Sequence, residues 1–346
     1  VKIGLEISSL SYPLSGIQVY IKNFLTAILN VDRENKYLFT AKLMKLKKIE
    51  EYKTSPFWFR KYDVFHGFDG FIPHFISAKL RSAVVHDVIP LTEPVFVSES
   101  TVKNFEKKIK RLLNRADILI APSEYTKKAL SFFFPSKRIH VIYEAPSKCF
   151  ARIADESICE FKKRLGLNNF ILYVGVLNAR KNVNGLINAF NIVRRKFKDL
   201  QMVIVSSYSG YGGEKTLELI NRGHNQGILF LKNVTEKDLV FFYNSAIIFA
   251  FPSFAEGFGL PVLEAMACGT PVVTSNTSAL PEVGGDAVEY VDPYDVNDIA
   301  MKIIELLDDE KKREKLKEAG VKRASSFSWE KSAMELKSIW SKYLNQ

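Results

Sequence analysis

The 346-residue sequence contains no apolar run near the roughly 18–20 residues that cross a bilayer; its best candidates, Ile118–Ala121 and Ala246–Phe251, are much shorter. Cysteine is scarce: Cys149, Cys159 and Cys268 are an odd number without C-x-x-C spacing, which excludes a disulfide framework and a zinc cluster and favours reduced thiols in the cytoplasm. His66, His74, His86, His140 and His224 lack the H-x-x-x-H spacing of metal ligands, and no Asp-x-Asp occurs, so neither a metal site nor a cation-bound diphosphate is expected. VKIGLEISSL at the N-terminus has no signal-peptide apolar region. Two nucleotide motifs also fail. Gly210-Tyr211-Gly212-Gly213 carries Lys215 where a dinucleotide fingerprint needs its third glycine, and a P-loop ending at Lys215-Thr216 would need glycine at Ser209 and Glu214. That segment reads as a surface turn.

What is present is an ordinary globular composition, 47% hydrophobic and 25% charged, in a length suited to two domains. Short β-rich runs alternate with helical patterns, the signature of parallel sheets. VKIGLEI (1–7) precedes a helix near Ile17–Leu29, and SAVVHDV (82–88) precedes the Lys-rich stretch Val102–Arg115. The series restarts at NNFILYVGVL (168–177), followed by a helix over Asn184–Phe197. The fold class is therefore α/β, with two doubly wound Rossmann-like domains, residues 1–147 and 148–328, joined near Glu144–Ile153. Apolar residues at Trp329, Ala333, Leu336, Ile339, Trp340 and Tyr343 recur at helical spacing and predict a closing amphipathic helix.

The segment FPSFAEGFGLPVLEAMACGTPVVTS (251–275) carries the chemistry. A buried strand ends at Pro252-Ser253, a loop with Gly257 and Gly259 follows, and Pro261 opens a helix that stops at Gly269. Such a helix N-terminus offers unpaired N–H groups to phosphate, at the carboxyl edge of the sheet where α/β folds bind ligands. Glu256 precedes the helix and would face what the phosphate carries; Glu264, one turn inside, would accept hydrogen bonds from the vicinal hydroxyls of a ribose. The bland alternative makes both ordinary solvated carboxylates.

Glu256, GFGLPVL and Glu264 resemble the E-x7-E motif of the family-4 retaining glycosyltransferases, and PSFAEGFGLPVLEAMACGTPVV with SALPEVGGDA follows that pattern for some 35 residues. The resemblance implies a GT-B fold of two Rossmann-like domains facing a cleft, the first on the acceptor side and the second binding the donor, with helix 329–346 packing back on the first. It implies that Glu256 contacts the transferred sugar, Glu264 binds the nucleotide ribose, and the backbone of Gly257, Phe258, Gly259 and Leu260 holds the donor. YVGVLNARKN (173–182) is similar to the family's basic loop, so Arg180 and Lys181 would neutralise the diphosphate as the glycosyl bond breaks; otherwise they form a solvated turn. SAVVHDVIP (82–90) resembles the family's HD-x-x-P segment, which gives His86 a place against the sugar and Asp87 a lesser, loop-orienting one. His66 in DVFHGFDG is a comparable strand-end residue for the acceptor side. Ser15-Gly16-Ile17-Gln18 keeps one of the family's paired glycines, and Gly16 would approach the diphosphate.

The implied reaction is metal-independent transfer of a sugar, with retention, from a GDP- or UDP-linked donor to a glycan or lipid-linked oligosaccharide acceptor, without a further cofactor. The HDVIP region and SALPEVGGDA look most like mannosyltransferases of O-antigen and related polysaccharide synthesis, which favours GDP-mannose. A GT-B-type sugar-nucleotide epimerase or a non-catalytic sugar-nucleotide-binding protein would share the fold; nucleic acid is not an expected partner, because no RNP stretch or recognition helix is present. The excess of 49 Lys+Arg over 38 Asp+Glu, a net +11, concentrates partly at Lys103, Lys107, Lys108, Lys110, Arg111 and Arg115, interleaved with Phe105, Ile109, Leu112 and Leu113. Such a helix would lie on the inner face of an anionic membrane, or serve only as a solvated basic surface.

Overall fold

The computed structural model describes residues 1–11, 16–41, 61–206, 210–223 and 227–346; Ser15, Ser209 and His224 lie outside the described residues. The chain divides into two compact units, residues 1–92, 99–144 and 327–346 in one and residues 93–98 and 145–326 in the other.

The first unit contains β1 (Lys2–Glu6), α1 (Gly16–Val31), β2 (Lys36–Thr40), β3 (Lys61–Gly67), β4 (Ser77–Val84), α2 (Ile89–Thr92), α3 (Glu99–Leu113), β5 (Ile118–Ala121), α4 (Glu124–Phe133) and β6 (Arg138–Val141). Its strands form one sheet in the order β2-β1-β3-β4-β5-β6, parallel throughout. The second unit contains α5 (Asp155–Leu165), β7 (Phe170–Val174), α6 (Val183–Lys196), β8 (Gln201–Val205), α7 (Gly213–Gly223), β9 (Ile228–Leu231), α8 (Glu236–Ser245), β10 (Ile248–Phe251), α9 (Leu260–Ala267), β11 (Val272–Ser275), α10 (Leu280–Gly284), β12 (Glu289–Val291), α11 (Val296–Asp308) and α12 (Glu310–Ala324). Its sheet, β12-β11-β10-β7-β8-β9, is also all parallel. Helices flank both sheets. The central strands ILIA, IFAF and VVTS are buried at every position, as parallel strands covered on both faces must be.

The last helix, α13 (Trp329–Leu344), belongs to the first unit, and its buried residues include Trp329, Ala333, Leu336, Ile339 and Trp340. Ser328 caps it by accepting from the Lys331 N–H. Trp329 packs edge-on against Tyr20 of α1 at 5.3 Å, and the Trp340 indole donates to Ser82 Oγ of β4 at 2.9 Å. Lys337 reaches the buried Asp32 at 3.0 Å.

The basic stretch of the first unit is α3, and its apolar residues are already used. Ile109, Leu112 and Leu113 are buried in a core with Leu119, Ala121 and Leu130, and Phe105 packs against the same cluster. Lys108 pairs with Asp69 at 3.0 Å and Arg115 donates to the Ile72 carbonyl at 2.8 Å. The face of α3 toward solvent is therefore its charged one, with Lys103, Lys107, Lys110 and Arg111 exposed. Among the described residues no helix is long and apolar enough to cross a membrane.

Candidate active site

In the second unit, three loops meet at the carboxyl edge of the sheet. The first follows β7. Asn178 caps a single 3-10 turn, Ala179–Lys181, by accepting from the Lys181 N–H at 3.1 Å. Asn182 then adopts the left-handed conformation and caps α6, its Oδ1 accepting from Gly185 N and its Nδ2 donating to the Pro293 carbonyl at 2.7 Å. These two asparagines hold Arg180 and Lys181 in a fixed turn.

The second loop runs from β10 to α9. Phe254 N–H donates to the Arg180 carbonyl at 2.9 Å, seating this loop on the first. Gly259 caps the start of α9 at φ +127, a backbone conformation that favours glycine. The third loop follows β11. Thr277 Oγ1 donates to the Phe254 carbonyl at 2.8 Å, and Ser278, itself at φ +57, accepts the Glu256 N–H at 2.9 Å.

At the meeting point Glu256 is buried and carries two ion pairs, to Arg180 Nη1 at 2.8 Å and to Lys181 Nζ at 2.7 Å. Arg180 also donates to the Ala255 carbonyl, and Lys181 Nζ lies 4.7 Å from the centre of the Phe251 ring. Burial pushes the Glu256 carboxyl up, but Arg180 and then Lys181 outweigh it and hold it at about 2. Two cations against one carboxylate leave a net positive centre beside the N-terminus of α9, which suits an anion. Glu264, in the second turn of α9, is buried too, and its Oε2 accepts from the Tyr243 hydroxyl at 2.9 Å. Burial raises its carboxyl to about 7 despite that hydrogen bond. The two glutamates of the E-x7-E spacing are thus buried groups in unlike surroundings, one held ionised and one poised near neutrality, not solvated carboxylates.

The glycine segment is a surface turn, as expected, at Tyr211–Gly212, and it opens α7. Gly210 N–H donates to the Leu177 carbonyl at 2.7 Å and Ala179 N–H to the Tyr211 carbonyl at 2.9 Å, so it lies against the basic loop. Between the starts of α6 and α7 is a cavity of about 810 Å³, lined by Asn178, Asn184, Tyr211, Lys215 and Phe254 among others.

The profile of the glycosyl transferases group 1 family matches residues 158–323, which include all of this site. O-antigen chain mannosyltransferase B of Escherichia coli is 34% identical over 281 residues, covering 77% of this chain and 71% of that protein. The chain belongs to the glycosyl transferases group 1. A serotype-specific mannosyltransferase, WbdA of Escherichia coli, is 32% identical over 259 residues, 72% of this chain but only 32% of that longer protein. Among solved structures, sucrose-phosphate synthase from Thermosynechococcus elongatus superimposes with a TM-score of 0.77 at 18% identity, over 98% of both chains. The fold of this glycosyl transferase is GT-B.

The residues singled out in its first unit are placed differently. His86 lies beyond the end of β4, with Nε2 2.8 Å from the Phe68 carbonyl and Nδ1 3.4 Å from Glu144 Oε1, and its ring is edge-on to Tyr20. Burial alone would lower its pKa; Glu144, with Asp69 and the Phe68 carbonyl, outweighs burial and raises it. Both ring nitrogens are thus committed within the unit, and contact with a sugar hydroxyl through either requires one of these bonds to open. Asp87 accepts from the Ile89 N–H at 3.2 Å, orienting the start of α2.

His66 is corrected from a residue lining the acceptor side to a core residue. It is fully buried, bonded through Nδ1 to Ser82 Oγ at 2.8 Å, its register partner on β4, and covered by Trp340. Burial drives its pKa down to about 3. The neutral ring contributes stability present above pH ~6.5 and lost as pH falls toward ~3, because the unfolded chain then binds the extra proton. Gly16 is the exposed first residue of α1, with open space around the position of a Cβ among the described residues.

Sequence reasoning missed Ser278 and Tyr243, which reach the two glutamates from 22 and 21 residues away. Ser278 lies in the SALPEVGGDA segment that resembles the family; Tyr243 had no signal in the sequence.

Proposed function

We propose that this enzyme transfers a hexosyl group, mannose from GDP-mannose, to a hydroxyl of a glycan or lipid-linked acceptor in cell-surface polysaccharide synthesis, with retention and without a metal ion. The observation that carries the reading is the cluster of buried Glu256 with the partly buried Arg180 and Lys181 at the N-terminus of α9, with Glu264 on the same helix. Arg180, Lys181 and the N–H groups of Gly257, Phe258, Gly259 and Leu260 bind the diphosphate; Glu264 accepts hydrogen bonds from the ribose hydroxyls; Glu256 accepts one from the transferred sugar. In the first unit, His86 is assigned to the sugar and Asp87 to the acceptor loop.

In the reaction the bond from the anomeric carbon to the β-phosphate oxygen breaks while the acceptor oxygen bonds that carbon on the same face. The acceptor proton passes to the departing phosphate oxygen. Arg180 and Lys181 stabilise the charge that grows there, an effect worth ~10²–10³ in rate for a single well-placed donor. Mannose is favoured because both Escherichia coli relatives are mannosyltransferases.

A thermal-shift and transfer screen tests the reading. GDP-mannose should raise the midpoint in proportion to ln(1 + [L]/Kd) and UDP-glucose should raise it less, and Glu264→Gln should lose most of that shift. An unmoved midpoint with every nucleotide sugar, or wild-type binding in Glu264→Gln, defeats the reading.

We further propose that the enzyme acts at the cytoplasmic face of a membrane, held electrostatically by the outward face of α3, each exposed basic residue near an anionic surface contributing ~1 kcal/mol. Sedimentation with phosphatidylserine vesicles should fall sharply when Lys103, Lys107, Lys110 and Arg111 are replaced by Gln. Equal sedimentation with neutral vesicles returns this charge to a solubility role.

A further inference from the structure

We propose that Tyr243 is a positioning residue for the nucleotide: its hydroxyl, without touching substrate, holds the Glu264 carboxylate in its receiving orientation. The inference rests on the reading of Glu264 as the ribose-binding group.

The geometry is specific. Tyr243 is fully buried on α8 and donates 2.9 Å to Glu264 Oε2. One carboxylate oxygen is occupied by this bond, which fixes the rotation of the group and leaves Oε1 for a ligand hydroxyl. The tyrosine is itself immobilised. Thr270 Oγ1 donates to its carbonyl at 2.6 Å, and its ring lies edge-on to Phe150 at 5.6 Å and to Phe249 at 5.3 Å. A hydroxyl on so constrained a ring cannot follow a carboxylate that swings away; it selects one orientation in advance, which lowers the ordering cost of binding.

The ionisation of the pair points the same way. Burial first, and Glu264 second, raise the Tyr243 phenol well above its ordinary value, so it remains a donor throughout the working range. Glu264 faces Tyr243 and Glu236 of α8 and Cys149 of the segment leading into the unit, with Cys268 one turn on, and Tyr173 of β7 faces Tyr243. Of the groups acting on the Glu264 carboxyl, Tyr243 is the one that favours its charged form; burial and Glu236 oppose it. Ribose hydroxyls donate most strongly to an ionised carboxylate. Nucleotide affinity should therefore rise with pH through about 7, and loss of the Tyr243 hydroxyl should move that rise to higher pH.

The test is calorimetric titration of GDP-mannose without acceptor, whose doubly esterified diphosphate lacks the titrating proton of a terminal phosphate, from about pH 5.5 to about 9. Tyr243→Phe keeps the ring and removes only the donor. It should bind GDP-mannose about tenfold more weakly near neutrality, with its inflection displaced upward and a smaller deficit remaining at the alkaline end, where Glu264 is ionised but no longer oriented. In steady-state assays its donor KM should rise while kcat changes little. Placing 3,5-difluorotyrosine at position 243, a stronger donor, should displace the inflection downward, and this variant decides the matter if Tyr243→Phe does not fold.

Glu264→Gln should bind weakly with no inflection near 7. A Tyr243→Phe profile superimposed on wild type, or one whose inflection is unmoved, overturns the positioning role while leaving the ribose assignment standing. Wild-type affinity in Glu264→Gln instead overturns the ribose assignment itself.

Discussion

Replacing Arg180 by Ala is expected to lower turnover by ~10²–10³-fold if, as proposed, the guanidinium supplies a preformed donor and charge to the leaving diphosphate. The same change should also cost stability. Glu256 is buried and shares its charge between Arg180 and Lys181, so removing one cation leaves the carboxylate half-compensated; the penalty for breaking a buried pair outright is ~3–5 kcal/mol, and the surviving bond to Lys181 should keep it toward the lower end. The two effects separate in a cycle. Arg180→Ala combined with Glu256→Gln removes the uncompensated charge, and should recover much of the urea midpoint without recovering turnover. A single variant with wild-type kcat would remove Arg180 from the reaction. A double variant no more stable than the single one would show that the triad is not coupled.

The second large effect lies in the first unit. Trp340→Ala should destabilise it by ~3–5 kcal/mol, the usual cost of emptying a buried aromatic site. The indole is 2% exposed, stands 5.4 Å from the His66 ring, and donates to Ser82 Oγ. Its removal opens a cavity beside a histidine whose Nε2 is already buried without a partner. Trp340→Phe keeps most of the volume and loses only the N–H, a change worth ~1 kcal/mol. Urea unfolding followed separately for each unit is the measurement, since a two-unit chain need not unfold in one step. A Trp340→Ala transition unchanged in the first unit would mean that α13 is not part of its core.

The candidate site was readable because its parts are local in sequence. A strand, a glycine loop, a helix start and the next strand lie within 251–275, and the spacing of Glu256 and Glu264 is set by one loop and two helical turns. The helix at Trp329–Leu344 was readable for the same reason, since its period of apolar residues is a property of the segment alone. The strands β2 and β3 were harder. Both open on lysine and mix polar with apolar residues, KYLFT at the sheet edge and KYDVFHG inside it, so neither shows the uniform apolar run of β5 or β10.

His66 shows where local reading stops. A histidine near the end of an apolar run reads as a loop residue, but its burial depends on Ser82 in the adjacent strand and on Trp340, which donates to that serine from 258 residues away. The basic helix is a similar case. Its charge and its apolar spacing are both visible in the sequence, whereas whether the apolar side meets lipid or core depends on β5 and α4, which cover it.

By itself, then, the sequence determined the two βαβ series, the glycine loop leading into α9 and the pair of acidic residues separated by seven others, because each follows from backbone geometry over a few turns. The tertiary structure alone decided what those acids are. Burial beside two cations makes Glu256 a permanently charged counter-ion, and burial against a tyrosine makes Glu264 a group that titrates near neutrality. The reason is physical: ionisation depends on desolvation and on charges within a few ångströms, and those neighbours come from 21 and 75 residues away along the chain.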